Sequence, residues 1–205
     1  MEIVEKKFKM LKNKNSDINQ HLETLKNYAK KCDTVIELGV RGCISSWAFL
    51  LGLLENQSDK DKKIILNDIK ECNIADFLNA TKDLNITVEC VWKNDLELDI
   101  EENVDLTFID TWHVYGQLKR ELNKFSRVTN KYIIMHDTQV DRVLGETVRN
   151  GWNAKKQSEE TGIPVEEINM GLGKAIKEFL ENNSDWKTKE VFKNNNGLTI
   201  LERIN

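Results

Sequence analysis

Short apolar runs alternate along this chain with segments whose apolar residues recur at helical spacing. The runs Val35-Ile36-Glu37-Leu38-Gly39, Ile64-Ile65-Leu66-Asn67-Asp68 and Leu106-Thr107-Phe108-Ile109-Asp110 each end in an acidic or glycine-containing cluster. A fourth, Tyr132-Ile133-Ile134-Met135, leads into His136-Asp137. Apolar runs flanked by helical segments predict parallel strands buried on both faces. Ligands of such sheets bind at the carboxyl ends of the strands. Glu37, Asp68, Asp110, His136 and Asp137 are therefore expected on one edge of the fold, and that convergence points to an enzyme.

The same reading assigns the remaining elements. Residues 17–31 carry Ile18, Leu22, Leu25 and Tyr28 at helical spacing behind a Ser16 or Asp17 cap. A strongly apolar helix opens at Ser45 or Ser46 and runs through Trp47, Leu50, Leu51 and Leu54. Residues 73–84 form a helix expected to bury Ile74, Phe77, Leu78 and Leu84, and residues 115–128 another with Leu118, Leu122 and Phe125 as its stripe. Residues 174–181 are helical again. Strands are predicted at 34–40, 63–69, 88–92, 105–110 and 132–135. Residues 186–192 and 198–201 form a terminal hairpin around Asn194-Asn195-Asn196-Gly197. The pattern breaks down from 138 to 173, apart from a short helix at 143–149, and a stretch this long is usually functional. The order predicts one α/β domain, 1–205, with helices on both faces, a helical extension at 1–31 and a lid at 138–173.

Composition narrows the classes. The chain has 205 residues, 40% hydrophobic and 31% charged, enough for one sizeable core. A net charge of −4, with Lys and Arg spread among acids, argues against nucleic-acid binding. The start is locally basic from Lys6 to Lys14 and is expected to be a frayed, solvated terminus. Cys32, Cys43, Cys72 and Cys90 contain no C-x-x-C pair, which fits free thiols in a reducing compartment. With neither an apolar membrane span nor a signal-peptide stretch, a cytoplasmic protein without membrane attachment is expected.

The loop after the first strand carries the most chemistry. Gly39 and Gly42 let the backbone approach a ligand and take positive φ angles. The helix opening at Ser45 aims free N–H groups at the same place, where they can satisfy a carboxylate or phosphate. Glu37 beside the loop favours a cationic group over a pyrophosphate, and Gly39-Val40-Arg41-Gly42-Cys43-Ile44 fails the G-x-G-x-x-G spacing of dinucleotide enzymes. An ordinary strand-to-helix turn is the alternative.

Three segments, in their order and spacing, carry a resemblance: Val35-Ile36-Glu37-Leu38-Gly39-Val40-Arg41-Gly42, Phe108-Ile109-Asp110-Thr111-Trp112-His113 and Ile133-Ile134-Met135-His136-Asp137-Thr138. A weaker echo lies in residues 171–180. The chain resembles a class I S-adenosylmethionine-dependent methyltransferase. More narrowly, it is similar to the group of metal-assisted sugar and macrolide O-methyltransferases and cephalosporin-hydroxylase-like proteins. The resemblance spans about residue 23 to the C-terminus. It implies a seven-stranded Rossmann-like sheet closed by a C-terminal antiparallel hairpin. It also implies S-adenosylmethionine held by Glu37, Gly39, Gly42, Ser45, Asp68, Asp95 and Asp110. Asp68 would accept the ribose hydroxyls, as a bidentate carboxylate can, or cap the next helix. Asp95 would hold the adenine amino group or be a plain turn aspartate. Cys43 stands where the resemblance places a glycine.

Asp110, His136 and Asp137 form a second cluster suited to Mg²⁺, with histidine admitting Mn²⁺ or another transition metal. A metal-free site, with His136 orienting Asp137, stays open beside it. His113 is the candidate general base if neutral, or a helix-capping residue, and Asp110 and His136 complete the catalytic set. Thr111-Trp112 replaces the Gly-Asp of the relatives, and Trp112 either stacks on a substrate ring or packs. The implied activity is O-methylation of a small hydroxylated acceptor, a sugar or glycan unit. The alternatives are a non-catalytic cofactor-binding protein of the same fold and, for assembly, a homodimer through the N-terminal helix or lid.

Overall fold

The computed structural model describes residues 1–204. Seven strands form one sheet: β1 (Thr34–Leu38), β2 (Lys63–Asp68), β3 (Thr87–Trp92), β4 (Val104–Ile109), β5 (Thr129–His136), β6 (Trp186–Phe192) and β7 (Leu198–Arg203), in the order β3-β2-β1-β4-β5-β7-β6. Strands β1 to β5 are parallel, and β7 runs antiparallel to both β5 and β6. The strand order reverses between β1 and β4. At that switch point the crossovers leave in opposite directions and a crevice opens above the strand ends.

Strand alternation builds a core on each face. Val35, Ile64, Leu66, Leu106, Phe108 and Ile134 point to one side; Ile36, Leu38, Ile65, Ile133 and Met135 point to the other. The first face is covered by α1 (Glu2–Asn13), α2 (Leu22–Ala29), α3 (Ser45–Glu55) and α4 (Ala75–Thr81). The second is covered by α5 (Tyr115–Phe125) and α9 (Leu172–Asn182). Helix α3 is buried from Ser45 to Leu53, which matches its unbroken apolar sequence. It lies so close to α2 that a Cβ on Gly52 would overlap the Lys26 carbonyl oxygen.

Three expectations change. The basic N-terminus is not a frayed arm: Glu2–Asn13 is a helix with Val4, Phe8 and Leu11 buried. These three residues supply one apolar row at i, i+4 and i+7, and the lysines lie on the other faces. Leu78 is 38% exposed rather than on the buried side of α4, which packs through Phe77 and the preceding Ile74. The segment 138–173 is not irregular throughout. It folds into α6 (Glu146–Arg149), α7 (Ala154–Thr161) and α8 (Val165–Asn169), tied down by a bridge between Leu144 and Met170. No helix among the described residues is long and apolar enough to cross a membrane.

Candidate active site

A cavity of about 700 Å³ opens over the carboxyl ends of β1, β2 and β4. Gly39, Asp68, Asp95, Asp110 and His113 all line it, with Ile163 and Glu160 of the lid opposite. Gly39 has φ +92°, and a Cβ there would overlap the Asp110 carbonyl oxygen, so only glycine lets the β1 and β4 ends close together. Gly42 does not take positive φ as expected. Arg41 (φ 42°) and Cys43 (φ 55°) hold the left-handed positions of this loop, a conformation that glycine takes with less strain than either.

Glu37 is fully buried behind the loop. Ser45 Oγ donates to its Oε1, while Oε2 meets no donor among the described residues. Burial, opposed only in part by the Ser45 and Ser46 hydroxyls, pushes its carboxyl up to about 8. Gly42 and Ser45 border a small recess beside Gly39 rather than the main cavity. Asp68 is oriented by backbone amides, accepting from Arg41 N at 2.9 Å and from Lys70 N at 3.2 Å. Asp95 is nearly buried in a 3₁₀ turn after β3 and accepts from Gln117 Nε2 at 3.1 Å.

The second cluster gathers around His113. Its Nε2 lies 3.1 Å from Asp110 Oδ1. Its Nδ1 lies 3.0 Å from Asp137 Oδ2, 3.4 Å from Asp141 Oδ2 and 3.6 Å from Glu146 Oε2. Asp137 sits at φ 56° just past β5, a turn that aspartate tolerates and that aims its carboxylate back at His113. Arg149 grips Asp141 with Nε at 2.6 Å and Nη2 at 2.9 Å. Burial lowers the proton affinity of His113, but Asp110, Asp141 and Asp137 outweigh it and hold the ring well above the ordinary imidazole range. Asp110 is half-buried; desolvation raises its carboxyl, yet His113 and His136 outweigh that and bring it well below the carboxylate range. Asp137 is raised by burial.

These placements alter the expected roles. The four carboxylates around His113 favour its protonated form, and a divalent cation among them would favour the neutral ring that can act as base or ligand. The ligand atoms that come within 4.8 Å of one another belong to Asp110, His113 and Asp137, with His113 where His136 was expected. His136 is buried, its Nε2 facing the carbonyl oxygens of Asp17 (3.1 Å) and Asn195 (3.2 Å) and its Nδ1 facing Asp110 at 3.3 Å. It orients Asp110, and its Nδ1 also lies 3.4 Å from Asp137 Oδ1. Two atoms bear on a cation at this place: His113 Nδ1 has no aligned hydrogen-bond partner, and Asp137 Oδ1 has none. A ring nitrogen and a carboxylate oxygen that lack hydrogen-bond partners fit a divalent ion. Trp112 donates its indole N–H to Thr147 Oγ1 at 3.2 Å beside Val114, Ile163 and Ile168, and it also lines the cavity, so the packed ring borders the space a substrate would fill. Sequence reading missed Glu146, Gln117 and Glu121. All three lie on helical faces whose charges look like solvated surface until the tertiary fold turns them inward.

No family model matches the chain, and no curated protein sequence does. Among solved structures it is similar to the SAH-bound methyltransferase PaMTH1 of Podospora anserina, at 12% identity, covering 100% of this chain and 89% of that one, with a TM-score of 0.59. It is also similar to the O-methyltransferase of Bacillus cereus in complex with SAH (12% identity, 99% and 91% covered, TM-score 0.56). A third similarity is to the N-methyltransferase NodS of Bradyrhizobium japonicum (12% identity, 94% and 99% covered, TM-score 0.58). At these identities the likeness is one of fold: the chain has the seven-stranded Rossmann-like methyltransferase architecture.

Proposed function

We propose that this chain is an S-adenosylmethionine-dependent O-methyltransferase acting on a small hydroxylated acceptor, a sugar or glycan unit. The observation that carries the reading is the row of acids at the strand ends around one cavity. Glu37 lies behind it, and Gly39, Asp68 and Asp95 line its wall in the order that a methionyl amine, a ribose and an adenine require. A buried carboxyl with one orphaned oxygen is costly unless a ligand supplies a donor, and an ammonium does so. Asp68, already oriented by two amides, keeps lone pairs for the ribose hydroxyls.

Methyl transfer is an in-line displacement, so the protein supplies alignment and removal of the hydroxyl proton. Asp110 and Glu146 are the carboxylates of the second cluster that line the cavity. Glu146 borders the cavity 3.6 Å from His113 Nδ1 and is placed to take the acceptor proton. Asp110, His113 and Asp137 would hold a Mg²⁺ or Mn²⁺ ion, which when bound polarises an acceptor hydroxyl and lowers its pKa. The lid helices exclude water from the transfer.

Calorimetric titration of S-adenosylhomocysteine, with and without Mn²⁺, tests the reading. Binding is expected, weakened about 10- to 100-fold in Asp68→Ala by loss of charge-assisted hydrogen bonds. Asp137→Asn should abolish the Mn²⁺ heat. Glu146→Gln should keep cofactor binding and lose turnover about 100-fold or more. A protein that binds cofactor but turns over no hydroxylated acceptor is the non-catalytic alternative; no cofactor binding under any condition overturns both.

A further inference from the structure

Two carboxyl groups meet in the wall of the cavity on the β3 side. Glu121, on α5, is fully buried, and Asp95 is 6% exposed. Each has one oxygen engaged. Gln117 Nε2 donates to Asp95 Oδ1 at 3.1 Å and to Glu121 Oε1 at 2.9 Å, and the Thr111 hydroxyl also donates to Glu121 Oε1. The second oxygens, Asp95 Oδ2 and Glu121 Oε2, are buried and meet no donor among the described residues. Through that one amide nitrogen Gln117 holds the two carboxyls beside each other, with both second oxygens buried. Lys124, on the same helix, spends its Nζ on the carbonyl oxygens of Asp95 and Leu96 rather than on either carboxyl.

Two bare carboxylates so placed would leave charged oxygens desolvated side by side. One proton satisfies both orphans: Glu121 Oε2–H donates to Asp95 Oδ2. Burial supports this assignment by raising the proton affinity of Glu121 well above the ordinary carboxyl range, and the neighbouring Asp95 charge raises it further.

The same network fixes Gln117, four residues before Glu121 and on the same helix face. Its amide nitrogen sits between two oxygens that accept from it, so both its hydrogens are used and only its carbonyl oxygen is left to offer. Gln117 and Asp95 both line the cavity. From these two side chains, a ligand meets acceptors only.

We infer that Gln117 is a specificity-determining residue and Glu121 a positioning residue of the base-binding wall. Glu121, as a neutral acid, donates to Asp95 and keeps it an acceptor, so the wall takes a purine bearing an exocyclic amino group and rejects its oxo counterpart. This rests on reading the cavity as the S-adenosylmethionine site. An amino group donates to the wall; an oxo group would set its oxygen against acceptors with no proton between them, the kind of mismatch that polar sites discriminate strongly.

Two measurements keep the inference separate from the cofactor reading. Infrared difference spectroscopy of the free protein at neutral pH, wild type minus Glu121→Gln, is expected to show one buried protonated carboxyl band, since the band of Glu37 is common to both proteins and cancels. Absence of that band overturns the shared proton, whatever the protein binds. Calorimetry then compares S-adenosylhomocysteine with S-inosylhomocysteine. The wild type is expected to favour the adenosyl ligand about 100-fold. Glu121→Gln should keep adenosyl affinity within about threefold, since its amide donates to Asp95 while its carbonyl accepts from Thr111 and Gln117. Glu121→Ala and Gln117→Met should reduce the preference to about tenfold or less while both ligands still bind. Equal affinity of the wild type for the two ligands overturns the selectivity. Binding of neither sinks the cofactor reading and the selectivity with it, and the infrared band still decides the shared proton.

Discussion

Glu37 is fully buried, with one hydroxyl donor on Oε1 and none on Oε2, and its titration follows from that. Its carboxyl, ordinarily at 4.5, is pushed up to about 8 by burial. Between those values the folded chain holds a proton that the unfolded chain has released, so stability falls as pH rises through this window and is level outside it. Denaturant midpoints are expected to decline from about pH 5 to pH 8 in the wild type relative to Glu37→Gln, up to a limit of roughly 5 kcal/mol. Parallel profiles for the two proteins would remove this account. The same carboxyl should release up to about one proton when the ammonium of S-adenosylhomocysteine binds beside it at pH 7. That release appears as a buffer-dependent heat that Glu37→Gln lacks. The sequence places Glu37 at the end of a strand, but only packing by α3 removes its water.

Helix α3 and its neighbours show what happens at the scale of elements. Its apolar residues run round the whole helix, so it is legible in sequence as a buried element, yet the face that α2 approaches is set by Gly52. A Cβ at Gly52 would overlap the Lys26 carbonyl oxygen and crowd Ala29 Cβ, and neither backbone can yield without parting the helices. Gly52→Ala is expected to cost about 1–3 kcal/mol, read as a lower urea midpoint with an unchanged slope; a neutral or stabilising substitution would show that α2 moves freely. Helix α1 is the opposite case. Its single apolar row of Val4, Phe8 and Leu11 is thin and its lysines are many, so composition suggests solvent while the core claims the row. The lid helices α6 to α8 are short, and their turns are held by contacts from Val114 and Met170 as much as by their own spacing.

At the scale of the whole molecule, the two ends of the chain meet beneath the second cluster. Asn195, in the hairpin turn between β6 and β7, accepts from Gln20 N at 2.9 Å and donates to Ser16 O at 2.9 Å. Its own carbonyl faces His136 Nε2 at 3.2 Å. His136 in turn faces Asp110, so a C-terminal turn and an N-terminal linker together fix the orientation of a β4 carboxylate. Asn195 also sits at φ 47°, where a Cβ-bearing residue other than Asn or Asp is disfavoured. Asn195→Ala is expected to lower stability by about 1–3 kcal/mol in chemical denaturation. It should also weaken Mn²⁺ binding, although it lies outside the ion's ligand set. Unchanged Mn²⁺ affinity would mean that Asp110 is held without help from the termini.

Local pattern determined the strand and helix order, the parallel sheet with its closing hairpin, and the strand-end positions of Glu37, Asp68, Asp110 and Asp137. These follow from apolar periodicity and from the rule that parallel strands present their carboxyl ends together. The tertiary structure decided which polar groups face one another. It brought His113 as well as His136 among the carboxylates, turned Glu146 and Glu121 inward from helices that look solvated, and made the basic N-terminus part of the core. Those outcomes depend on contacts between residues far apart in the chain, where burial and neighbouring charge set protonation and hydrogen bonding, and periodicity carries no record of them.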